Sequence, residues 1–482
     1  MGIVVKQSIV NTLTTYVGFG LGAINTLFLY TQILEPTYYG LVTFILATAA
    51  IIMPLLALGV HNTLVKFYSE QKEERNGFLT LLLLSPLLVI VPLALLIYFK
   101  YENISNFLAQ ENAIAKDYVW YIFIIGLCMA YFEIFYAWSK VQLKSVFGNF
   151  MKEVFARLCV LILLICLSYE WLTLALFLKA LVVVYVMRTV LMKLYAYKLR
   201  KPVLNFNFPT NTKQILNYSF LMILGGSAAL ILLEIDKFMI NQYVAIENVA
   251  FYGVAVYIAT VIIVPSRAMH QITYPLTAKL LNEKNLRGLK ELYQKSSLTL
   301  FIASGIVFLL IVLNLKDLYT LLPKEYSKGF YIVFFIGLAK VFDSVLGNIN
   351  SILYNSKYYK ITLMLGVLLA ITTIVLNIWL IPKMGIEGAA IASFISICIF
   401  NLVKLFFVKF KFGFHPFTKA SFKILSTLVF LGLLFSYLQF PFHAIVNILI
   451  KSILVTAMYL GLLFRFNISE EVNQLLHRFI KK

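Results

Sequence analysis

Two basic residues within long apolar stretches are the side chains most suited to binding an anion. Arg157 and Lys179 lie in consecutive runs of about 20 apolar residues, the length of a helix that crosses a membrane. At 1.5 Å per residue, Arg157 is expected about 14 Å above the inner boundary of the hydrocarbon core and Lys179 about 12 Å below the outer one, within about 5 Å of each other in height. Taken as unpaired, these cations predict a site for a dianion. The alternative is that both side chains snorkel or bond carbonyl groups on outward faces.

Three other charged residues, Glu133, Lys340 and Asp343, also fall inside apolar stretches and are candidates for binding a proton or a sodium ion. A charge at the bilayer centre costs roughly 2.5–3.5 kcal/mol, so each is expected to face a cavity or a partner. Lys340 and Asp343 are three residues apart on one helix face and can instead neutralise each other as a structural pair. Glu133 lies in the inner third of its stretch, where it can also simply reach water.

Asn25 gives the first apolar stretch a polar group at depth. Gly18, Gly20 and Gly22 precede it and loosen the helix. This pattern suits a helix that bends between two states, and Asn25 is therefore added to the predicted binding residues. Close packing against a neighbouring helix explains the glycines equally well.

The elements that must position these residues are predicted to be transmembrane helices. Of 482 residues, 61% are hydrophobic and 13% are charged, which excludes an ordinary soluble domain. The long uninterrupted runs also exclude a β-barrel, whose strands need only about 10 alternating residues. The formal charge of +20 is scattered among short loops, so nucleic acid is not an expected partner. The four cysteines have no C-x-x-C spacing, which predicts neither a disulfide nor a metal site.

The chain is thus predicted to be an all-α polytopic membrane protein with about 14 transmembrane helices. Their approximate positions are 8–34, 38–65, 77–99, 118–139, 148–168, 171–193, 214–235, 248–267, 296–315, 329–352, 360–380, 385–408, 421–438 and 443–463.

Basic residues in alternate connections predict the orientation and the lobes. Lys and Arg are retained on the cytoplasmic side, and most of the 41 fall on the inner side if the N-terminus is inside, with Arg188 and Lys404 counted among them. Both termini are therefore predicted to be cytoplasmic. The long basic connection divides an N-terminal six-helix lobe (1–200), by a cytoplasmic linker (201–212), from a C-terminal six-helix lobe (213–410). Because six is even, the lobes are expected to be parallel repeats.

Residues 411–482 are predicted to form two additional helices and a cytoplasmic amphipathic tail. In the tail, apolar residues recur at i, i+3, i+4 and i+7, at Val472, Leu475, Leu476 and Phe479. This spacing predicts a helix that lies on the inner membrane surface.

Two passages carry a resemblance to a known family. Asp236-Lys237-Phe238-Met239-Ile240, followed by Phe251-Tyr252-Gly253-Val254-Ala255, is similar to the passage after helix seven in the polysaccharide and lipid-linked oligosaccharide flippases of the MOP (multidrug, oligosaccharidyl-lipid, polysaccharide) transporter superfamily. Residues 380–392, Leu-Ile-Pro-Lys-Met-Gly-Ile-Glu-Gly-Ala-Ala-Ile-Ala, resemble that family's passage between helices eleven and twelve. Structural roles are expected within these passages for Asp236, Lys237, Tyr252, Gly253, Pro382, Gly385 and Gly388. Asp236 and Lys237 are expected to fix a helix end, and Gly385 and Gly388 to let helices pack closely.

The resemblance implies a flippase rather than an enzyme. Its expected cargo is an undecaprenyl-pyrophosphate-linked oligosaccharide, moved across the bacterial cytoplasmic (inner) membrane by alternating access for surface polysaccharide biosynthesis, as in O-antigen, lipopolysaccharide or capsule assembly. The pyrophosphate would then be the dianion bound by Arg157 and Lys179. Membrane lipids and polysaccharide assembly proteins are expected partners, and a coupling ion, proton or sodium, or the membrane potential would drive transport. No cofactor is expected, since the sequence has no G-x-x-x-x-G-K-[ST] loop for ATP.

Two other functions are weighed against this one. An ion-coupled small-molecule antiporter of the multidrug branch would typically have twelve helices, so the last two predicted helices argue against it. A membrane-embedded glycan polymerase or acyltransferase would need acid–base or metal-binding residues, often in a sizeable loop. The five histidines are scattered without a paired motif.

Overall fold

The computed structural model describes residues 3–71, 73–226 and 228–468, and no strand occurs within these ranges. Ten of the helices described there are long and apolar enough to cross a membrane, and a further pair, Lys324–Val345 and Ile349–Asn355, passes the same test as one broken span bent by 57°. The all-α polytopic membrane fold is thereby confirmed. The amphipathic tail predicted around Val472–Phe479 lies outside the described residues.

The difference between ten or eleven spans and the predicted fourteen comes from three segments. Tyr359–Phe412 is 54 residues long and breaks at Gly385, so it contains two predicted spans. A π turn divides residues 146–168 into shorter helices, which fall outside the ten. Thr212–Gly226 and Ala228–Tyr243 flank Ser227, which lies outside the described residues, and neither of these helices is among the ten.

The chain forms two compact units, Met1–Gly253 with Asn377–Gly385 and Val254–Leu376 with Ile386–Lys482. The first unit therefore runs past the predicted linker, and the repeated six-helix lobes stay a prediction. The elements of the first unit are α1 (Ile3–Ala23), π1 (Ile24–Leu29), α2 (Tyr30–Ile33), α3 (Pro36–Leu56), α4 (Val60–Phe67), α5 (Arg75–Leu84), α6 (Leu87–Phe99), α7 (Tyr101–Leu108), α8 (Val119–Val141), α9 (Val146–Phe150), π2 (Met151–Phe155), α10 (Ala156–Ser168), α11 (Leu174–Leu199), α12 (Thr212–Gly226), α13 (Ala228–Tyr243) and the start of α14 (Glu247–Thr260).

The second unit continues from α14. Its further elements are α15 (Val264–Asn282), α16 (Leu286–Thr320), α17 (Phe330–Val345), α18 (Ile349–Asn355), α19 (Tyr359–Phe412), α20 (Lys419–Ser436) and α21 (Ala444–Arg465). One apolar core forms where α16 and α17 meet α20 and α21, with Leu431 and Val455 fully buried. A second core lies around α15, α16, α18 and α19 and includes Tyr293 and Val408.

Helix α8 is the centre of the first unit and packs against α3, α4 and α11. Its C-terminal half carries Phe132 and Trp138 into a core that also contains Phe78 of α5 and Met192 of α11. The linker is irregular and is bonded to this bundle, since the backbone N–H of Asn205 donates to Oγ1 of Thr80 on α5 at 3.0 Å. α8 therefore holds the helices that carry the predicted site.

Candidate functional site

Two π turns shape the part of the first unit that holds Arg157. π1 interrupts the first span and π2 interrupts the fifth. α1 packs against π2, and α10 packs against π1, so the two irregular turns lie in contacting helices. A π turn bonds to the fifth residue along the chain, which re-aims the side chains after it, and such turns are frequent at functional sites. Glu153 lies within π2, and Arg157 follows it at the start of α10.

Gly18 brings α1 into direct contact with this turn. A Cβ atom on Gly18 would lie 2.4 Å from the carbonyl oxygen of Glu153 and 2.9 Å from Nη1 of Arg157. The first of these distances is to backbone, so the approach requires glycine at this position. A Cβ atom on Gly20 would meet no atom within 4 Å. Close helix packing therefore explains Gly18 but not Gly20.

Asn25 joins the first span to the backbone of the predicted anion site. It lies in π1, its side chain is 3% exposed, and its Nδ2 donates to the carbonyl oxygen of Arg157 at 2.8 Å. Its Oδ1 is buried and accepts no hydrogen bond from any residue that the structure describes. Asn25 thus positions Arg157 and keeps one acceptor unused.

Arg157 has a carboxylate partner that was not anticipated. Its Nη1 donates to Oε2 of Glu153 at 2.9 Å and to the carbonyl oxygen of Glu153 at 2.7 Å. The prediction that Arg157 is unpaired is wrong, because Glu153 lies one helical turn earlier on the same face. That spacing was visible in the sequence. Both recorded bonds leave from Nη1, so Nη2 and Nε have no hydrogen bond to the described part of the chain, and the side chain is 35% exposed.

Glu133 is also held in an ion pair. Nζ of Lys152, in π2, lies 2.6 Å from Oε1 of Glu133 on α8. Lys140 and His61 also interact electrostatically with the carboxylate of Glu133. The carboxylate of Glu133 is mostly buried, whereas Lys152 is exposed. Ion binding by Glu133 stays a prediction. An ion bound there would compete with Lys152 for the carboxylate.

Arg188 is a buried cation that was counted with the basic residues of the inner side, near the end of the predicted span 171–193. It lies within α11 and is 8% exposed. Its guanidinium stacks on Phe132 at 4.3 Å and on Tyr185 at 4.7 Å, and its Nε has no hydrogen-bond partner in the described ranges. It interacts electrostatically with Glu133 and Glu153, and Tyr185 interacts with both Arg157 and Arg188. Arg188 was not among the predicted binding residues, although an arginine inside an apolar stretch could have marked it.

The observed ends of α10 and α11 change which cations lie at similar heights along these helices. Measured from the turn that joins α10 and α11, Arg157 lies about 16 Å along α10, and Lys179 about 8 Å and Arg188 about 21 Å along α11. The expected 5 Å match between Arg157 and Lys179 is therefore wrong, because α11 begins at Leu174 rather than Trp171. Arg188 matches Arg157 to within about 5 Å. Lys179 is exposed and forms no ion pair with a described residue.

The first of the two family-like passages forms a buried polar link. Oη of Tyr252 donates to Oδ2 of Asp236 at 2.5 Å, and Nδ2 of Asn377 donates to Oδ1 of Asp236 at 2.8 Å. Lys237 pairs instead with Glu234 at 2.6 Å. Asp236 and Lys237 do not end a helix as expected, since α13 continues to Tyr243. Asp236 joins α13 to α14 and α19.

The second passage supplies a break in α19. Gly385 has φ 59° and ψ −136°, a backbone conformation that side chains disfavour. A Cβ atom there would meet nothing within 4 Å, so the expectation that Gly385 permits close packing is wrong. Pro382, three residues earlier, weakens the helix at the same place. Gly253, in the first passage, does pack closely: its Cβ would lie 3.3 Å from Cγ2 of Thr43. Gly388, one turn after the break, is buried.

In the second unit, Asp343 pairs with a lysine that is distant in sequence. Nζ of Lys404, on α19, lies 3.7 Å from Oδ1 of Asp343, on α17. Lys404 was counted with the basic residues of the inner side, near the end of the predicted span 385–408, and its side chain is 0% exposed. Lys340 lies one turn before Asp343 on α17.

A second lysine–aspartate pair lies at the edge of an apolar cavity. Nζ of Lys451 lies 3.6 Å from Oδ2 of Asp317 and donates to the carbonyl oxygen of Leu313 at 3.1 Å. Lys451 is buried. The cavity, of about 600 Å³, is lined mostly by apolar side chains of α16, α17 and α20, such as Phe301, Phe308 and Leu428.

Comparisons with known proteins agree with this architecture. Residues 4–281 match the family described as "Polysaccharide biosynthesis protein". Among solved structures, "Lipid II flippase MurJ, inward closed conformation" is similar with a TM-score of 0.76 and 17% identity, over 96% of this chain and 100% of that one. An inward-facing multidrug resistance MATE family transporter of the MOP superfamily is similar with a TM-score of 0.60 and 14% identity, over 83% of this chain and 94% of that one. An outward-facing multidrug resistance MATE family transporter of the MOP superfamily is similar with a TM-score of 0.53 and 15% identity, over 85% of this chain and 95% of that one.

These structural likenesses show the fold, because the identities are low. No curated protein sequence matches the chain. The family match covers more than half of the 482 residues. The chain therefore belongs to the polysaccharide biosynthesis protein family and has the fold of MOP-superfamily transporters, as the resemblance predicted.

Proposed function

We propose that the chain is a flippase that moves an undecaprenyl-pyrophosphate-linked oligosaccharide from the inner to the outer leaflet of a bacterial cytoplasmic membrane. Movement is by alternating access, both termini are cytoplasmic, and the product feeds surface polysaccharide synthesis such as O-antigen or capsule assembly. The chain acts as a transporter without catalysing a covalent step. The family and the fold support transport, and the cationic groups of the first unit support the nature of the cargo.

The observation that carries the proposal is the pair of arginines, Arg157 and Arg188, whose heights along the contacting helices α10 and α11 agree to within about 5 Å. Both interact with Tyr185, which places them in one neighbourhood. Each keeps donors with no recorded partner: Nη2 and Nε in Arg157, and Nε in Arg188. Arginine offers five N–H donors in a planar fork that matches phosphate oxygens. A pyrophosphate has enough acceptors to bond both forks.

Charge balance also favours an anion. Lys152, Arg157 and Arg188 bring three positive charges, whereas Glu133 and Glu153 bring two negative ones. Arg188 forms no ion pair with any described residue, and an enclosed cation without a counter-charge is costly. A dianionic cargo would supply that counter-charge. Glu153 would act as a resident carboxylate that occupies Arg157 when the cargo is absent.

Asn25 and Lys179 take supporting roles in this proposal. Asn25 holds the backbone of Arg157, and its unused Oδ1 can accept from a sugar hydroxyl or a water. Lys179 lies about 8 Å nearer the outer end of the helices than Arg157. It is therefore proposed as the next cation that the pyrophosphate meets as it moves outward.

Binding and flipping of a fluorescent undecaprenyl-pyrophosphate-linked glycan by the purified protein in liposomes tests the proposal. Arg157→Gln and Arg188→Gln should each weaken binding by about 2 kcal/mol or more, roughly thirtyfold. Arg157→Lys should retain part of the affinity, because it keeps the charge but not the fork.

Glu153→Gln is the discriminating control. It frees Arg157, so it should strengthen anion binding, whereas a merely structural ion pair predicts the same loss for Glu153→Gln as for Arg157→Gln. Parental binding and flipping by Arg157→Gln/Arg188→Gln would disprove the site. Exchange of small organic cations without any glycan movement would instead favour the multidrug-type antiporter, and covalent change in the glycan would favour an enzyme.

A further inference from the structure

A groove lies on one side of the first unit, between α5, α8 and α11, and has a volume of about 480 Å³. Apolar side chains line most of it, among them Leu83, Phe135 and Val190. Oγ1 of Thr189, which also lines the groove, donates to the carbonyl oxygen of Cys128 at 2.8 Å. Among the described residues that line it, Lys193 alone is charged. The groove therefore offers mostly carbon along its walls and one cation.

The linker closes one end of this groove with the side chain of Leu204. The linker is fixed there, because the backbone N–H of Asn205 donates to Oγ1 of Thr80 on α5 at 3.0 Å. Leu204 and Phe206, on either side of Asn205, are 66% and 67% exposed. Apolar side chains that are exposed beside basic residues suit the interface between a membrane and water. The linker therefore presents an apolar edge next to the groove.

The length of α11 places the groove within one leaflet. At 1.5 Å per residue, its 26 residues measure about 39 Å, which exceeds the ~30 Å of a hydrocarbon core. With Leu174 at one boundary of the core, Val186 lies about 18 Å, Lys193 about 28 Å and Tyr197 about 34 Å along the helix. Lys193 is then at the other boundary, where lipid phosphates lie. Val186 and Tyr197 both line the groove, so it extends about 16 Å, close to the ~15 Å of hydrocarbon in one leaflet.

The charges at this end of α11 favour an anion. Residues 171–233 contain no Asp or Glu, and α5 contains none. The one carboxylate of α8, Glu133, is paired with Lys152. Lys193 forms no ion pair with a described residue, and its Nζ lies 5.5 Å from the ring centre of Tyr197. Further basic residues follow at the end of α11 and the start of the linker, namely Lys198, Arg200 and Lys201. Basic groups at the cytoplasmic boundary, the predicted location of this end, attract anionic lipids.

We propose that this groove binds one anionic phospholipid of the inner leaflet, with an acyl chain between α5, α8 and α11 and its phosphate at Lys193. Leu204 and Phe206 then lie in the headgroup layer and cover the chain where it joins the headgroup. A groove that spans one leaflet and ends at Leu204 fits a phospholipid chain better than the much longer undecaprenyl chain. A single lining cation also suits one phosphate better than a pyrophosphate. The inference does not depend on the cargo.

Photo-crosslinking of the purified full-length protein tests this site. The two probes are phosphatidylglycerol and phosphatidylcholine, with identical acyl chains that each carry a diazirine. Crosslinks mapped by peptide mass spectrometry should fall on the groove-lining residues of α5, α8 and α11. Phosphatidylglycerol should be captured about fivefold more strongly, the contribution expected of one lysine near a membrane surface. Lys193→Gln should remove most of this preference, whereas Lys193→Arg should keep it, because the charge is retained.

Two matched controls separate the groove from its surroundings. Lys198→Gln removes an exposed charge from the same helix end but outside the groove lining, and it should change the preference by less than about twofold. Val190→Trp fills the groove and should lower the capture of both lipids at least fivefold. Leu194→Trp, one turn later and exposed outside the lining, should not.

Four results would each overturn the inference. They are equal capture of the two lipids, crosslinks that map away from the groove, an equal loss of preference in Lys193→Gln and Lys198→Gln, and unchanged capture in Val190→Trp. Displacement of phosphatidylglycerol by an equal concentration of undecaprenyl pyrophosphate would also overturn it, because the groove would then belong to the path of the cargo. Glycan flipping is not measured in these experiments, so their failure leaves the proposed function untouched.

Discussion

Replacing Gly18 by alanine tests how closely the first span is fitted to the Arg157 site. The new Cβ would lie 2.4 Å from the carbonyl oxygen of Glu153 and 2.8 Å from its carbonyl carbon, so backbone must move. An ordinary contact needs at least 3.4 Å, so α1 and π2 must separate by about 1 Å. Overpacking of this kind costs about 1–3 kcal/mol. Separation also stretches the bond from Asn25 to the carbonyl oxygen of Arg157.

Gly20→Ala is the control because its Cβ would meet no atom within 4 Å. Both substitutions gain about 1 kcal/mol of helix propensity, so this gain cancels when the two variants are compared. Gly18→Ala should therefore be less stable than Gly20→Ala by about 1–3 kcal/mol in detergent unfolding. It should also flip glycan at least tenfold more slowly, since a 1 Å displacement of binding groups removes well-aligned hydrogen bonds. Equal stability and equal flipping in the two variants would refute the close contact between α1 and π2.

Other predictions concern separate parts of the molecule. Asn25→Leu should reduce glycan binding while leaving the insertion of the protein unchanged, because only the hold on Arg157 is lost; parental binding constants would contradict this role. Lys404→Ala should lower the unfolding free energy less than Asp343→Ala, because removing only the carboxylate leaves an enclosed ammonium unpaired; buried pairs broken in that way typically cost about 3–5 kcal/mol, and the reverse order would contradict the burial of Lys404. Tyr252→Phe should destabilise the protein by about 1–3 kcal/mol, because Asp236 loses a donor in a buried site, and a thermal-unfolding midpoint equal to the parental one would refute that. Reporter fusions should read cytoplasmic after Lys201, Lys284 and Lys411 and external near Asn112 and Lys324, and an external signal at Lys284 would contradict the predicted topology.

The sequence by itself determined the class of the protein. Runs of about 20 apolar residues can satisfy their backbone hydrogen bonds in a membrane only as helices, so length and composition were enough to predict the all-α polytopic fold. The two family passages were enough to predict the superfamily. The pairing of Arg157 with Glu153 could also have been predicted, because residues four apart on a helix are neighbours on its surface.

Only the tertiary structure decided which distant charges meet. Lys404 and Asp343 are joined by the packing of α17 and α19, and Asp236 meets Asn377 through α13 and α19, yet no sequence spacing encodes either contact. Arg188 was counted on the cytoplasmic side because positive charge near a span end normally marks that side. Its burial depends on Phe132 from another helix, which covers the guanidinium. Local spacing sets contacts within one helix, whereas contacts between helices depend on how all of them pack, and that packing is a property of the whole fold.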